Sequence, residues 1–441
     1  MQTARDLERI LDAGLSAIPV APIAVALSGG LDSSALLHAL SCLPAARQRG
    51  LRAIHVDHGL QAQSGDWSRH CQRLSARCDV PLSVIRIEVD RDRGQGLETA
   101  ARAGRYAAFE AALEDGEILA LAHHRDDQTE TVLLKLLRAA GPEGLGAMRT
   151  LRRLGKAWAW RPLLEIPRET LHRHASEAAL DWIEDPSNAD TRIERNYLRQ
   201  ELLPILRQRW PRADVSISQS ATWIRAAAGF IDDEAARALP GMQGNDPASL
   251  DWRAWLALAD ALRDPLLRRW LRSLALPEPN QHQVAELERQ LAQAEQDKLP
   301  CVRWPGAEVR RYRDLVYAMA PAQVPEPGWE TRWNGLPLEL PANLGTLILG
   351  GPVKQAMALD DSEQLQVRFR RGGERLRLHA GGGHRDLRDL FQEAGIPPWQ
   401  RARIPIVLDR NAEILAVGDL WISATGREEF ARLGCSLGWK R

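Results

Sequence analysis

The seven residues SGGLDSS, at positions 28 to 34, constrain the fold of this chain more than any other segment. They follow a short apolar run and precede a stretch with helical periodicity, so they predict a turn between a strand and a helix. In such a turn, backbone N–H groups and the positive end of the helix dipole can hold a phosphate. Gly29 and Gly30 let the main chain approach a ligand closely, and Ser28, Ser33 and Ser34 supply hydroxyl donors. The motif therefore predicts a phosphate-binding loop.

The loop differs from the GxxxxGK[ST] phosphate loop, because no lysine lies near it in the sequence. The carboxylate of Asp32 would stand beside a polyanion, and like charges in a partly dry site repel each other. A divalent cation between them removes that repulsion, and Mg²⁺ accepts carboxylate oxygens as ligands. Asp32 is therefore a candidate metal ligand, and a simple glycine-rich turn is the alternative.

Strand and helix patterns alternate around the loop, from Ile23 to about Ala140. Apolar runs predict strands at 23–28, 51–59, 82–89 and 118–124, and amphipathic segments predict helices at 33–43, 66–77, 97–113 and 126–139. Strands that alternate with helices form a parallel sheet with crossover helices. The fold class predicted for residues 1–215 is α/β with a doubly wound parallel sheet.

Two further domains are predicted after the α/β domain. An irregular Gly/Pro segment follows Gly141, and the α/β domain ends near Trp210. Residues 216–325 have mostly helical spacing, which predicts a small all-helical domain. After a proline-rich linker at 321–330, short strands and glycines predict a small α+β domain over residues 335–441.

The composition excludes several classes of protein. With 44% hydrophobic and 26% charged residues, the chain is neither disordered nor collagen-like. Its 58 Lys and Arg balance 58 Asp and Glu, so binding to a polyanion has to depend on local patches. The five cysteines form no CxxC pair, which indicates a reducing compartment and argues against a cysteine-held cluster. Without a signal peptide or an apolar run of about eighteen residues, the chain is predicted to be cytoplasmic and to have no membrane partner.

Three carboxylates follow the fourth predicted strand, in the segment AHHRDDQTET. Asp126, Asp127 and Glu130 fall in the first turns of a helix, beside His123 and His124. Acids at a helix N-terminus gain about 0.3 to 1 kcal/mol each from the helix dipole, so a structural role is one interpretation. A metal or a cationic substrate would also relieve the repulsion between Asp126 and Glu130, which share a helix face. Ligands of open α/β sheets gather at strand ends, which favours the second interpretation.

The sequence also resembles a known family. SGGLDSS after a first strand is similar to the loop of the PP-loop ATP pyrophosphatases, which cleave ATP to AMP and pyrophosphate. Within that superfamily the chain resembles the tRNA(Ile)-lysidine synthases in GLETAARAGRYAAF (96–109), AHHRDDQTETVLLKLLRAAGPEGLGAM (122–148), RPLLEIPR (161–168), WIEDPSNADTRIERNYLRQELLP (182–204) and RDLRDLFQEAGIPPWQRARIPIV (385–407). One departure is Gly-Glu-Arg at 373–375, where the family pattern has Gly-Asp-Arg.

The resemblance implies a two-step reaction on the tRNA(Ile) that carries a CAU anticodon. ATP adenylates the C2 oxygen of the wobble cytidine and releases pyrophosphate. The ε-amine of free L-lysine then displaces AMP from C2, and the product is lysidine. The implied cofactors are ATP and Mg²⁺, and the implied partners are the tRNA and lysine.

The resemblance also assigns residues by motif position. Those implied for ATP binding are Ser28, Gly29, Gly30, Leu31, Asp32, Ser33 and His58. Those implied for catalysis are Asp32, Asp127, Arg102 and Arg105, with Asp32 and Asp127 as the Mg²⁺ ligands and Asp126 as the lesser candidate. Those implied for tRNA contact are Arg195 and Arg199, after the EDPSN segment, and Arg375 and Arg401 in the last domain. Solvated helix faces are the alternative for the arginine pairs in the helices.

Two other functions stay open at the level of sequence. A PP-loop tRNA thiolase would share the chain up to Ser33, but such enzymes generally need a reactive cysteine or a cysteine-ligated cluster. A catalytically idle ATP- and RNA-binding protein would use the same fold. The sequence also leaves a homodimer open.

Overall fold

The computed structural model describes residues 4–57, 59, 64–87, 97–294, 298–321, 323–350, 358–360 and 363–440. The chain forms two compact units, Met1–Asp233 and Glu234–Arg441. The predicted boundary after residue 215 falls inside a long helix, Ala213–Ala238, which also crosses from the first unit into the second. The three predicted domain ranges stay predictions.

The first unit consists of alternating helices and strands followed by a helical segment. In chain order they are α1 (Ala4–Ser16), β1 (Ile23–Ala26), α2 (Leu31–Ser41), α3 (Pro44–Gln48), β2 (Leu51–Asp57), α4 (Ser64–Arg77), β3 (Leu82–Arg86), α5 (Leu97–Ala112), β4 (Ile118–Ala120), α6 (Arg125–Leu137), α7 (Pro142–Leu145), β5 (Leu151–Leu154), β6 (Ala157–Trp160), α8 (Arg168–Glu177), α9 (Glu194–Tyr197), α10 (Leu203–Arg209) and α11 (Ala213–Ala238). A π-helical turn at Leu198–Leu202 joins α9 to α10.

The strands of the first unit form a six-stranded sheet in the order β3-β2-β1-β4-β6-β5. β1 pairs in parallel with β2 and β4, β6 pairs in parallel with β4, and β5 is antiparallel to β6. The predicted parallel α/β fold is confirmed, with its four strands in the predicted segments. The β5–β6 hairpin lies in the segment predicted to be irregular, because AWAW is too short to show a period and its pairing with β4 is not local.

Successive residues of β1 pack into two different cores, one on each face of the sheet. Ile23 and Val25 belong to a cluster that includes Leu36 of α2 and Leu171 of α8. Ala24 belongs to a second cluster, with Phe109 of α5. Because side chains of a strand alternate between faces, this pattern covers both sides of the sheet with helices. Ligands are then expected at the edge where the parallel strands end.

The second unit contains helices and several small antiparallel sheets. Its elements are β7 (Ser249–Asp251), α12 (Trp252–Leu256), α13 (Asp260–Ser273), α14 (Gln281–Gln293), β8 (Cys301–Trp304), β9 (Ala307–Tyr312), β10 (Leu315–Met319), β11 (Glu330–Trp333), β12 (Leu338–Glu339), β13 (Thr346–Gly350), β14 (Leu365–Arg368), β15 (Arg375–Leu376), β16 (Arg385–Asp386), α15 (Leu387–Glu393), α16 (Pro398–Arg401), β17 (Ile406–Leu408), β18 (Ile414–Val417), β19 (Trp421–Ile422), α17 (Ala424–Arg432) and β20 (Ser436–Lys440). The helical region and the later β-rich region are as predicted.

A four-stranded sheet, β7-β10-β9-β8, lies beside the helices of residues 252–293, and the sequence did not predict it. Its strands are short and interleaved with charged residues, so their periodicity is weak. The apolar side of this sheet shares a core with the helices, including Val309, Val316 and Trp270. Among the residues described above, no helix is both long enough and apolar enough to cross a membrane.

Candidate active site

Hydrogen bonds between the serines of the PP loop stabilise its conformation. The hydroxyls of Ser28 and Ser33 lie 2.9 Å apart, and the backbone N–H of Ser28 donates to Ser33 Oγ at 3.1 Å. Gly29 has φ of +85°, and a Cβ there would lie 3.1 Å from the sulfur of Cys71. A side chain at this position would therefore meet both backbone strain and a packed neighbour, which explains the glycine.

The N-terminus of α2 is available for an anion. Gly30 is the N-cap of this helix and no side chain caps it. The first N–H groups of a helix lack intrahelical partners, and the helix dipole adds positive potential there. The loop therefore has the uncapped N–H groups that a phosphate site needs, which agrees with the roles predicted for Gly30 and Leu31.

Asp32 and Asp127 meet at the imidazole of His124. Its Nε2 lies 3.6 Å from Asp32 Oδ2 and 3.4 Å from Asp127 Oδ2, and its Nδ1 lies 3.6 Å from Asp126 Oδ1. Asp32 follows β1 and the other two follow β4, so the pairing of these adjacent parallel strands brings them together. The sequence prediction that strand ends collect the carboxylates is supported by this geometry.

His124 is a buried imidazolium, only 1% exposed. Burial by itself lowers its pKa, but the carboxylates of Asp126, Asp32 and Asp127, each within 3.6 Å of a ring nitrogen, raise the pKa to about 10. The neighbouring His123 is the opposite case, since burial lowers its pKa to about 3 and keeps it neutral. The two adjacent histidines therefore carry different charges at neutral pH.

Arg195 and Arg199 bind the acids of α6. Arg195 Nε donates to Glu130 Oε2 at 2.6 Å, and Arg199 Nε donates to Glu130 Oε1 at 2.7 Å. Both guanidinium groups also reach Asp127 Oδ1, at 3.2 and 3.3 Å. Glu130 is completely buried, and burial of a carboxylate is costly unless it is paired and hydrogen-bonded. The arginines predicted to contact tRNA thus face the candidate catalytic acids.

The π-helical turn at Leu198–Leu202 lies between the helix that carries Arg195 and the one that follows Arg199. An extra residue in a helical turn shifts the register of the side chains that follow it, and such turns occur often at functional sites. Asn196 fixes the start of this segment by donating to the carbonyls of Ser187 and Asp190, at 2.9 and 3.0 Å. The EDPSN segment therefore helps to position the two arginines.

Asp126 and Asp127 have different environments although they are adjacent in sequence. Asp126 accepts the backbone N–H of Arg168 at 3.2 Å and the guanidinium of Arg207 at 2.7 Å, and Asp214 holds Arg207 from the other side. Burial raises the pKa of Asp126, but its contacts with His124, Arg168 and Arg207 bring it well below the ordinary value. The contacts of Asp126 therefore indicate a structural role, whereas Asp127 contacts Arg195 and Arg199.

The pKa of Asp127 is also lowered. Burial raises the pKa, but the charges of His124 and Arg195 and the hydrogen bond from the backbone N–H of His124 outweigh that effect. A carboxylate with a lowered pKa is ionised at neutral pH, so it attracts a cation well but accepts a proton poorly. This favours binding of a metal or an ammonium group over proton removal.

The donors near the loop fit Mg²⁺ when nucleotide phosphates complete its ligand shell. Asp32 Oδ1 is buried and accepts no hydrogen bond from the residues that the structure describes, although Nε of Arg168 lies 3.4 Å from it. Over the described parts of the chain, no group of three or more His, Cys, Asp and Glu side chains is arranged to hold a metal. Mg²⁺ commonly takes only one or two carboxylates and completes its shell with substrate phosphates and water. Asp32 and Asp127 are a donor set of that kind.

The remaining predicted site residues lie in several places. Arg102 and Arg105 are exposed on α5, and His58 lies outside the described residues.

Arg375, predicted to contact tRNA, is exposed, and its Nε lies 3.8 Å from Asp386 Oδ1. Arg401 is only 9% exposed, and it donates to the carbonyl of Ile396 at 2.8 Å and to the hydroxyl of Tyr312 at 3.1 Å. The placement of Arg401 supports a structural role and gives no support to the predicted tRNA contact.

Comparisons with known proteins agree with this site. Family models match a PP-loop domain at residues 2–206, a TilS substrate binding domain at 250–317 and a TilS substrate C-terminal domain at 365–439. A tRNA(Ile)-lysidine synthase of Xanthomonas axonopodis pv. citri is 43% identical, over 93% of this chain and 92% of its own length. The chain belongs to the tRNA(Ile)-lysidine synthase family.

Other members of the lysidine synthase family are similar over nearly the whole chain. The tRNA(Ile)-lysidine synthase of Alkalilimnicola ehrlichii is 42% identical and covers 95% of this chain and 93% of its own length. That of Salmonella choleraesuis is 37% identical and covers 95% of this chain and 96% of its own length. The similarity therefore includes both compact units, and the PP-loop match lies wholly within the first.

Sequence reasoning missed three residues that hold this lysidine synthase-family site together. These are His124, Arg168 and Arg207, to which the sequence pattern assigned no role. A signal existed for His124, because an imidazole two and three residues before a pair of aspartates can contact both. Arg207 carried no such signal, since its contact with Asp126 spans 81 residues of sequence.

Proposed function

We propose that this protein is a tRNA(Ile)-lysidine synthase, which ligates lysine to C2 of the wobble cytidine of tRNA(Ile) and converts ATP to AMP and pyrophosphate. The observation that carries the proposal is the agreement between family and site. Relatives with this name align over more than nine-tenths of the chain, and the carboxylates of the two motif strands meet at one imidazolium beside the PP loop.

In the first step, the C2 oxygen of cytidine attacks the α-phosphorus of ATP, and the bond from that phosphorus to pyrophosphate breaks. The uncapped N-terminus of α2 and the hydroxyls of Ser28 and Ser33 would stabilise the phosphate oxygens as charge develops on the leaving group. We also propose that Gly29, Gly30 and Leu31, in the same loop, bind ATP. The role of His58 in ATP binding stays a prediction from the family motif.

Mg²⁺, when bound, would neutralise phosphate charge during this step. Asp32 and Asp127 are the residues that would hold it. Asp32 Oδ1 accepts no hydrogen bond from the described residues and is therefore the carboxylate oxygen most available to a cation. We also propose that at least one of Arg102 and Arg105, on α5, contacts ATP or the adenylated RNA.

In the second step, the ε-nitrogen of free L-lysine attacks C2, and the bond between C2 and the oxygen carried by AMP breaks. The amine arrives as an ammonium ion, and an ionised Asp127 would attract and orient it. Because the pKa of Asp127 is low, we assign the proton to solvent and not to this carboxylate. Arg195 and Arg199 would keep Asp127 ionised and would hold Asp127 and Glu130 in place.

The RNA would contact both units. Arg375 is exposed in the C-terminal unit and suits a phosphate of the tRNA, whereas contact of Arg195, Arg199 or Arg401 with RNA remains a prediction from the motif. We also propose that the tRNA has a CAU anticodon and that the protein is cytoplasmic. A homodimer stays an open possibility.

The cysteines argue against the thiolase alternative. Burial raises the pKa of Cys71 to about 12, and burial also raises the pKa values of Cys42, Cys78 and Cys435. A nucleophilic cysteine needs a lowered pKa and an accessible thiolate. All five cysteines are free thiols, so no disulfide masks a different arrangement.

The test is lysine transfer by the purified protein. It would be incubated with ATP, Mg²⁺, radiolabelled lysine and an unmodified tRNA(Ile) transcript with a CAU anticodon, and acid-precipitable label that survives mild alkali would be counted. Alkali removes lysine esterified to the 3′ end, so surviving label reports transfer to the base. A transcript with uridine at the wobble position is the matched control. Stable label on both transcripts, or on neither, contradicts the proposal.

A further inference from the structure

We propose that Arg102, Arg152 and Arg161, grouped around Tyr106, form a second phosphate site that binds a backbone phosphate of the RNA substrate. The identity of the RNA rests on the proposed function. The site itself rests on three cationic side chains that converge from different elements. Arg102 and Tyr106 lie on α5, Arg152 on β5, and Arg161 directly after β6.

The three guanidinium groups approach the same phenol. The Cζ atoms of Arg102 and Arg152 lie 5.7 and 5.5 Å from the centre of the Tyr106 ring. Arg161 is 4% exposed, and its Nη1 donates to the carbonyl of Arg149 at 3.1 Å. Its Nε is buried and has no hydrogen-bond partner in the described parts of the chain. The group therefore contains a buried donor that is not satisfied.

The group has no acid to balance its charge. Among the residues that the structure describes, no carboxylate lies within ion-pair distance of Arg102, Arg152 or Arg161. Burial raises the pKa of Tyr106, but the charges of Arg161 and Arg102 bring it below the ordinary value. Arg195 and Arg199, in the same unit, are instead paired with Glu130. Like charges that converge without a counter-charge are stabilised by an anionic ligand.

Phosphate is the anion that suits these donors. Guanidinium groups present planar pairs of N–H donors that match phosphate oxygens, and Arg binds them bidentately. Arg161 follows β6, whereas the PP loop follows β1, and β4 lies between the two strands. Neighbouring strands are about 4.8 Å apart, which puts this group about 10 Å from the strand that leads into the PP loop. A site so far along the sheet edge suits an RNA phosphate next to the reacting nucleotide, while the PP loop holds ATP.

The experiment measures the affinity of the full-length protein for the tRNA(Ile) transcript at several salt concentrations. Arg152→Gln removes one exposed cation of the group. Arg153→Gln is the matched control, because Arg153 is the next residue on the same strand and its guanidinium lies 3.9 Å over the ring of Trp158 instead. Arg152→Lys restores the charge without the guanidinium fork. Affinities for Mg-ATP and for inorganic pyrophosphate are measured on the same samples.

We expect Arg152→Gln to reduce the slope of log Kd against log salt by about 0.7 to 0.9, the value for one phosphate contact. Arg153→Gln should keep the wild-type slope, Arg152→Lys should recover most of it, and the affinities for ATP and pyrophosphate should not change. An unchanged slope for Arg152→Gln overturns the proposal. A weaker affinity for pyrophosphate with an unchanged slope also overturns it and assigns the site to the nucleotide. Since binding alone is measured, a wild-type protein that forms no lysidine would contradict the proposed function and leave this test intact.

Discussion

Glu130 in the first unit and Glu374 in the second are both carboxylates buried against arginines, but the surroundings of the two differ. Arg195 and Arg199 bind Glu130 and also reach Asp127, so two carboxylates share the same cations. Glu374 instead accepts Arg368 Nη1 at 2.9 Å and the backbone N–H groups of its own loop. Glu374 is hydrogen-bonded by its own loop, so its role is structural. The arginines that bind Glu130 also contact Asp127, so Glu130 can affect the position of the candidate catalytic acid.

The cations of the two regions also differ in chemistry. In the first unit, one of the cations between the acids is the imidazolium of His124, whose charge depends on pH. Glu374 and the buried Glu308, in the second unit, are paired with arginines, which stay charged at any pH that a protein tolerates. The comparison therefore predicts that the two regions respond differently to substitution and to pH.

The largest effects are expected from truncating the two glutamates. Glu130→Ala and Glu374→Ala should each lower the free energy of unfolding by about 3 to 5 kcal/mol, because each removes a buried carboxylate that half-buried arginines pair with. Glu130→Ala should also abolish lysidine formation, whereas Glu374→Ala should weaken tRNA binding and preserve ATP binding. Denaturant unfolding and ATP titration measure both. If the Glu374→Ala protein were folded but unable to bind ATP, Glu374 would also support the active site. The predicted difference between the two regions would then be wrong.

A comparison of the two adjacent aspartates tests the first region more finely. Asp127→Asn should reduce the rate of lysidine formation by about 100-fold or more, since it removes the charge that orients a cation at the site. Asp126→Asn is the matched control, and it should cost mainly stability, by about 1 to 3 kcal/mol, because its contacts are with Arg207 and Arg168. Equal losses of rate in the two variants would show that Asp126 also takes part in the reaction.

The pH dependence should separate the regions further. In the folded protein the pKa of His124 is about 10, above its ordinary value of 6.5. A raised pKa contributes stability that is complete below pH 6.5 and is lost as the pH rises towards 10. The difference in unfolding free energy between the wild type and His124→Gln should therefore shrink from pH 6 to pH 9.5.

Two features make this pH measurement specific. Asp126 and Asp127 have lowered pKa values, so both stay ionised over the whole range and add no slope of their own. Glu374→Gln serves as the control, because its partner arginine stays charged and its cost should be constant with pH. A constant difference for His124→Gln would mean that the imidazole is neutral in the folded protein.

The smallest effect is expected at the surface of the second unit. Arg375→Gln should lower the slope of log Kd against log salt for tRNA by about 0.7 to 0.9, because the side chain is exposed and available to one phosphate. Arg401→Gln should lower the thermal stability and leave this slope unchanged, since its guanidinium is bound to Ile396 and Tyr312. A reduced slope for Arg401→Gln would show that this buried arginine reaches the RNA.

The local sequence was sufficient to predict the parallel sheet of the first unit and the PP loop. Glycine and serine chemistry, apolar runs and helical periodicity are properties of neighbouring residues, so SGGLDSS and the motif at 122–131 could be placed at strand ends. Once two parallel strands are adjacent, their carboxyl ends meet, which is why Asp32 and Asp127 could be expected to lie together. The β5–β6 hairpin was not predictable in this way, because four residues show no period.

Only the tertiary structure decided what each charged side chain contacts. Spacing showed that Arg195 and Arg199 share a helix face, but the face turned out to cover Glu130, 65 and 69 residues away in sequence. The division of roles between Asp126 and Asp127 likewise depends on Arg207. The sequence by itself determined the family, the loop and the set of candidate residues, because these follow from local pattern. Whether an arginine contacts an acid, a phenol or solvent depends on packing between segments that are distant in sequence. Local periodicity carries no information about that packing.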